Sequence, residues 1–141
     1  MLRYWLSFSF VFATALGSIG AGAQDFPTRP VRVVVPYAAG GLPDTMTRLA
    51  AVKLTEIFGQ QVVVDNRPGA GGIGACELVA HANPDGYTLL VVDVAQTAIN
   101  PALYAKLPYD SLKDFAAVSL MGTSAQFLSA NASVPANTLP E

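Results

Sequence analysis

Five consecutive residues, Val31-Arg-Val-Val-Val35, constrain this chain more than any other feature. Four are β-branched and apolar, which suits a strand buried on both faces. Pro36-Tyr-Ala-Ala-Gly-Gly41 follows, with two glycines that let the backbone turn sharply or bring its N–H groups close to a ligand. Asp44 or Thr45 is then placed to cap a helix running to Phe58. A strand, a glycine turn and a helix N-terminus in succession present unpaired backbone donors and the positive end of a helix dipole to an anion. The leading expectation is a carboxylate-sized anion seated over residues 37–44. The plain alternative is a βα connection whose glycines serve only to turn.

The pattern repeats downstream. Helix one, Thr45–Phe58, carries Met46, Leu49, Ala50, Leu54, Ile57 and Phe58 at helical spacing, and Gly59 stops it. Strand two is expected over Gln61–Asp65, a turn-rich loop over Asn66–Gly72, and a short helix over Ile73–Ala82. Asn83-Pro-Asp-Gly86 is a turn, and Tyr87–Val92 reads as a third strand in the middle of the sheet. Strands alternating with helices at this spacing indicate an α/β fold with a parallel sheet. Beyond Val92 the pattern loosens. A short helix is expected within Thr97–Tyr104, with Pro101 in its first turn, and a single helical turn capped by Asp110 within Leu107–Phe115. Ala117–Met121 and Gln126–Ala130 read as two more short strands.

The apolar fraction of 52 % excludes a disordered chain, but the first twenty-three residues inflate it. Arg3 is a short positive lead, Tyr4–Leu16 is mostly apolar, and Ala21-Gly-Ala23 places small residues where a signal peptidase reads. Residues 1–23 are therefore expected to be a cleaved secretory signal, the run being short for a membrane span. The domain is residues 24–141. Removing Arg3 leaves seven Lys and Arg against ten Asp and Glu, a net charge of −3 that offers nothing to a nucleic acid. The single cysteine, Cys76, has no disulfide partner, and one cysteine with one histidine makes no zinc site of the usual composition. A soluble periplasmic protein is the simplest reading.

Gly69-Ala-Gly-Gly-Ile-Gly74 is a literal GxGxxG that follows a strand and opens a helix, with Asp93 some distance on. That is the layout of a dinucleotide fingerprint, which would make the protein an enzyme. Against it, Asp65-Asn-Arg-Pro68 separates the strand from the first glycine, and a secreted protein has little access to NAD. Glycines serving a tight loop and close helix packing are the competing reading. No Gly-x-Ser-x-Gly elbow and no acid/base pair appears, and His81 reads as a surface histidine. Asp44 is open to three roles: orienting the glycine loop, capping the helix, or touching a ligand amine. Gln96, Thr97 and Asn100 follow the third strand and should reach the same carboxyl edge of the sheet as residues 37–44, where open α/β sheets bind ligands. Their alternative is loop solvation.

Five blocks, in order, resemble the tripartite tricarboxylate transporter substrate-binding proteins, the Bug receptor family. They are Arg29-Pro-Val-Arg-Val-Val-Val-Pro-Tyr-Ala-Ala-Gly-Gly-x-x-Asp44, Gly59-Gln-x-Val-Val-Val-Asp-Asn-Arg-Pro-Gly-Ala-Gly-Gly72, Pro84-Asp-Gly-Tyr-Thr-Leu-Leu90, Ala98-Ile-Asn-Pro-Ala-Leu-Tyr104 and Leu107-Pro-Tyr-Asp-x-Leu-Lys-Asp-Phe115. The resemblance implies one parallel-sheet lobe of a two-lobed periplasmic binding protein of type II-like architecture. Such a receptor closes on a small organic carboxylate and hands it to the membrane permease subunits of a transporter, with no catalysis and no cofactor. It implies that Tyr37, Ala38, Ala39, Gly40 and Gly41 supply backbone N–H groups to the ligand carboxylate, often through ordered water. Asp44 falls at the loop's acidic position, and the loop before Asn100 completes the wall.

Two departures stand out. Where the family often shows small residues and Thr-His, this chain reads Val92-Asp-Val-Ala-Gln-Thr97, and an acidic Asp93 facing the cleft would repel an anion. Family members are also longer, and this chain stops where their second lobe would begin. A fragment without independent binding activity, or one needing a second chain, is therefore the runner-up expectation.

Overall fold

The computed structural model describes residues 26–125, 127, 129, 131 and 133–135. The expected signal segment lies outside them, as does part of the strand expected over Gln126–Ala130. Three strands, β1 (Val31–Val35), β2 (Val62–Asn66) and β3 (Thr88–Leu90), form one parallel sheet in the order β2-β1-β3. The α/β parallel-sheet expectation is met, but its centre is β1 and not the third strand. β1 pairs with β2 from Val31 opposite Val62 to Val35 opposite Asn66, and with β3 from Arg32 opposite Thr88 to Val34 opposite Leu90. With ladder hydrogen bonds on both sides, β1 is the most deeply covered segment: Val31, Val33, Val34 and Val35 are all buried. Each such side chain contributes roughly 1.5–3 kcal/mol on leaving water. β3 is shorter than expected and only half-buried, because a strand paired on one side leaves its other edge open.

Helix α1 (Leu42–Phe58) packs against β1 and β2, and Ala51, Leu54 and Phe58 meet Val31, Val33 and Val62 in the main core cluster. It starts three to four residues earlier than the capping rule suggests. Gly41 is the N-cap and no side chain caps the helix; Pro43 lies in the first turn, where its fixed φ is already helical and its missing N–H costs nothing. At the other end Gly59 takes the left-handed conformation (φ 63°), and its N–H reaches Thr55 O at 3.1 Å, as the sequence led one to expect. Helix α2 (Ile73–Ala80), preceded by a 3₁₀ turn at Ala70–Gly72, packs its buried Ala75 and Cys76 toward β1 and β3. After β3 come a π-helical turn, Ala95–Ile99, and the single turn α3 (Asn100–Leu103) with Pro101 in its first turn. Asp110 caps the next turn: its Oδ1 accepts the Leu112 N–H at 3.0 Å.

Ala117–Met121 forms no strand. Val118 and Leu120 are about four-fifths exposed (81 % and 78 %), and a strand is held by its ladder and by burial of one face; this segment has neither.

Candidate functional site at the carboxyl edge of the sheet

Because β1 is central, its following loop, residues 36–41, is flanked by the loop after β2 and by the segment after β3. Asp44 governs the shape of that loop. It is the third residue of α1, and its side chain turns back rather than capping. Its Oδ2 accepts the Gly40 N–H at 2.7 Å, and Arg48 Nε, one helical turn on, lies at 3.0 Å. Its Oδ1 accepts Asn66 Nδ2 at 3.0 Å, and the same amide nitrogen donates to Tyr37 O at 3.1 Å. Arg48 Nη2 closes the circuit on Asn66 Oδ1 at 2.9 Å. The Asp44 residue is 2 % exposed, and the charge-assisted bond from Arg48, then the Gly40 N–H and Asn66, hold its carboxyl at a pKa of about 2. Of the three roles the sequence left open, orienting the glycine loop is the one this geometry fills.

The loop is thus fixed at both ends, at Tyr37 O by Asn66 and at Gly40 N by Asp44. Gly40 adopts φ 87°, a left-handed conformation that leaves most side chains strained, so glycine is needed there. Its N–H is committed to Asp44 and is withdrawn from any ligand. The N–H groups of Ala38, Ala39 and Gly41 have no acceptor among the described residues, and all three residues are exposed. They lie at the N-terminus of a 17-residue helix, where partial positive charge accumulates.

On the β3 side the Tyr37 hydroxyl donates to Asp93 Oδ2 at 2.6 Å and meets Gln96 Nε2 at 3.2 Å. Burial, and then the bond to Asp93, raise the Tyr37 pKa above its usual value of 10.0. Gln96 (2 % exposed) donates to Gly71 O at 3.2 Å and its Oε1 accepts the Asp93 N–H at 3.2 Å. Asn100 (4 % exposed) donates to the same Gly71 O at 3.0 Å. The buried Tyr109 ties the two together, its hydroxyl donating to Gln96 O at 2.9 Å. Gln96 and Asn100 therefore hold the 69–72 loop against the segment after β3. Thr97 is exposed and donates to Asp93 O at 2.8 Å, one turn back.

The GxGxxG run is used for packing. A Cβ on Gly72 (φ 80°) would lie 2.8 Å from both Gln96 Nε2 and Pro36 Cβ, and one on Gly71 would lie 3.4 Å from Asn100 Oδ1. Nothing lies within 4 Å of a Cβ placed on Gly69 or Gly74, so the close packing is at Gly72, with Gly71 in ordinary contact with Asn100. Sequence reasoning passed over Asn66, Arg48 and Tyr109. Arg48 was findable as an i, i+4 partner of Asp44; Asn66 becomes visible only once β2 is known to lie beside β1.

The family model described as the tripartite tricarboxylate transporter family receptor matches residues 46–141. The protein BugT of Bordetella pertussis is 37 % identical over 123 residues, covering 86 % of this chain and 38 % of BugT. A UPF0065 protein of Agrobacterium vitis is 42 % identical over 109 residues, 77 % of this chain and 31 % of its own. Among solved structures, MatC from Rhodopseudomonas palustris with bound malate superposes at a TM-score of 0.61 and 46 % identity, over 64 % of this chain and 31 % of MatC. The periplasmic binding protein BugD gives 0.60 at 40 % identity, over 64 % and 30 %. The chain thus spans less than half the length of these curated relatives. The expected β-strand and glycine loop lie where the sequence placed them, and the family match runs through 96 residues from the second turn of α1 onward. The family match over residues 46–141 shows that this chain belongs to the tripartite tricarboxylate transporter receptor family.

Proposed function

We propose that this polypeptide carries part of the ligand site of a periplasmic receptor for small organic carboxylates that feeds a tripartite tricarboxylate-type transporter. One observation carries the reading: the exposed, unaccepted N–H groups of Ala38, Ala39 and Gly41, on a loop pinned by Asp44 and Asn66 at the start of α1. Preorganised backbone donors at a helix N-terminus recognise a carboxylate without any cationic side chain. Relatives add support, since MatC is solved with malate and another R. palustris member with adipate. Tyr37 and Asp44 shape the seat, Gly40 makes the turn, and Gln96, Thr97 and Asn100 build the wall beside it. The receptor reaches the periplasm through residues 1–23, which are removed, leaving residues 24–141 as one α/β lobe.

The test is a thermal-shift and calorimetric screen of the whole polypeptide against a panel of small carboxylates. A ligand that binds only the folded state raises its stability by mass action, by about 2.7 kcal/mol at a hundredfold excess over Kd. A saturating rise with one acid, abolished by replacing Gly41 with proline, supports the seat. A melt indifferent to every acid overturns it for this chain. A second reading, that binding needs a further chain to cover the site, is favoured by the exposure of Val118 and Leu120, and would show as recovery of binding on adding that chain.

A further inference from the structure

We propose that Tyr109 is a positioning residue for the carboxyl edge of the sheet: its hydroxyl holds the turn Ala95–Ile99 in the π register, and that register sets Gln96 against Tyr37 and the 69–72 loop. The inference goes beyond the carboxylate seat and stands or falls without it.

The backbone of the turn carries the argument. The Asn100 N–H donates to Ala95 O, five residues back, where an α-helix would direct it to Gln96 O. In the π register the donor due to Gln96 O is the N–H of residue 101, but that residue is proline and has none. Gln96 O therefore has no helical partner, in a residue that is 2 % exposed. The Tyr109 hydroxyl supplies one, donating to Gln96 O at 2.9 Å. Tyr109 is itself buried, meets Phe115 edge-on at 5.8 Å between ring centroids, and accepts Asn100 Nδ2 at 3.3 Å, so its hydroxyl is fixed in place.

The α register is the alternative, and the same proline sets its cost. There the Asn100 N–H would serve Gln96 O, and the carbonyl deprived by Pro101 would be that of Thr97, four residues before it. Thr97 is exposed, so water takes that acceptor. Without the Tyr109 hydroxyl, the π register strands a buried acceptor and the α register only a solvated one. With it, the π register leaves no buried group unpaired.

A π turn holds one residue more than the α turn it replaces, so rewinding moves the residues before it by roughly 100° about the axis relative to those after it. Gln96 donates to the Tyr37 hydroxyl and to Gly71 O, both at 3.2 Å, and accepts the Asp93 N–H, while Asn100 donates to the same Gly71 O at 3.0 Å. That set of contacts does not survive such a rotation. Through Gln96, Tyr109 thus governs Tyr37, the residue directly before Ala38 and Ala39.

Trans-hydrogen-bond NMR coupling from the Asn100 amide nitrogen to its acceptor carbonyl carbon reads the register in the whole polypeptide, with no ligand added. In the native chain the correlation is expected at Ala95. Tyr109→Phe keeps the ring and its contact with Phe115, and is expected to move the ratio of the two correlations toward Gln96 on the order of tenfold, the effect of one buried acceptor left unpaired. Nuclear Overhauser contacts between the Gln96 side-chain amide and the Tyr37 ring should weaken in step. Replacing Tyr109 by 4-aminophenylalanine returns a donor to the same place and should restore the Ala95 correlation, a difference that ring packing alone does not produce. A native correlation at Gln96, a Tyr109→Phe correlation that stays at Ala95, or an amino variant that fails to restore it overturns the inference. Unfolding of Tyr109→Phe, seen as loss of the β1 amide cross-peaks, would assign the hydroxyl to the core as a whole and overturns it too. All of these outcomes leave the carboxylate seat to its own screen.

Discussion

Replacing Gly72 by alanine should destabilise the chain by more than its backbone conformation alone explains. Gly72 sits at φ 80°, ψ 7°, in the left-handed region, where a β-carbon costs roughly 1–2 kcal/mol. That β-carbon would also stand 2.8 Å from Pro36 Cβ and 2.8 Å from Gln96 Nε2, with Gln96 Cγ at 3.2 Å. Gln96 is itself held by Gly71 O, Tyr37 and the Asp93 N–H, and Pro36 is buried directly after β1, so neither side can retreat without losing contacts. Overpacking of this kind costs typically about 1–3 kcal/mol, and the sum is about 2–5 kcal/mol. Gly59→Ala is the control. Its φ of 63° carries the same backbone penalty, but nothing lies within 4 Å of the added carbon, so a loss of roughly 1–2 kcal/mol is expected. Urea unfolding followed by far-ultraviolet circular dichroism measures both against the native chain. If Gly72→Ala costs no more than Gly59→Ala, the neighbours yield, and the account of Gly72 as a close-packed glycine fails.

Other outcomes follow from the same contacts. The Asp44 carboxyl is held at a pKa of about 2 against an ordinary 3.8, so its contribution to stability is complete above the ordinary value and lost as pH falls through about 2; unfolding free energies measured from pH 5 downward should converge for the native chain and Asp44→Asn at the acid end, and a constant gap would contradict the assignment. Val34→Ala, in the central strand at 0 % exposure, should cost roughly 2–3 kcal/mol in the same urea assay, the lost methyl groups plus the cavity they leave. Leu120→Ser should change stability by less than about 0.5 kcal/mol, since Leu120 is exposed and outside any ladder; a larger loss would mean that this segment is a buried strand after all.

What the sequence disclosed and what it hid divide along a physical line. The Val31–Val35 strand, the helix ending at Phe58, the left-handed Gly59 and the Asp110 turn each depend on residues within a few positions of one another, and each was legible. The middle strand was misjudged because apolar content reports burial and not rank in the sheet: Tyr87–Val92 is the more continuously apolar run, yet β1 makes ladders on both sides. Ala117–Met121 had the right residue types for a strand, but a strand requires a neighbour, and no local pattern encodes one.

The same line runs through the site and changes its chemistry. From sequence, every N–H from Tyr37 to Gly41 is available to an anion, and Asp44 is open to orienting the loop, capping the helix or touching a ligand amine. In the folded chain Asp44 takes one of those donors for itself, because Asn66, brought in by β2, and Arg48 make a buried carboxylate affordable at that point. The loop gives up the Gly40 donor and gains a fixed shape for those of Ala38, Ala39 and Gly41. Anion affinity at such a seat depends on donors that need no rearrangement when the ligand arrives, so a fixed loop with one donor fewer serves better than an unfixed one. Asp93, on the other flank, accepts from the Tyr37 hydroxyl and the Ala95 N–H and has no cationic partner among the described residues, whereas Asp44 is paired with Arg48. Asp44 fixes the shape of the glycine loop, and only the parallel register of β2-β1-β3 brings it and Asp93 to the same edge of the sheet.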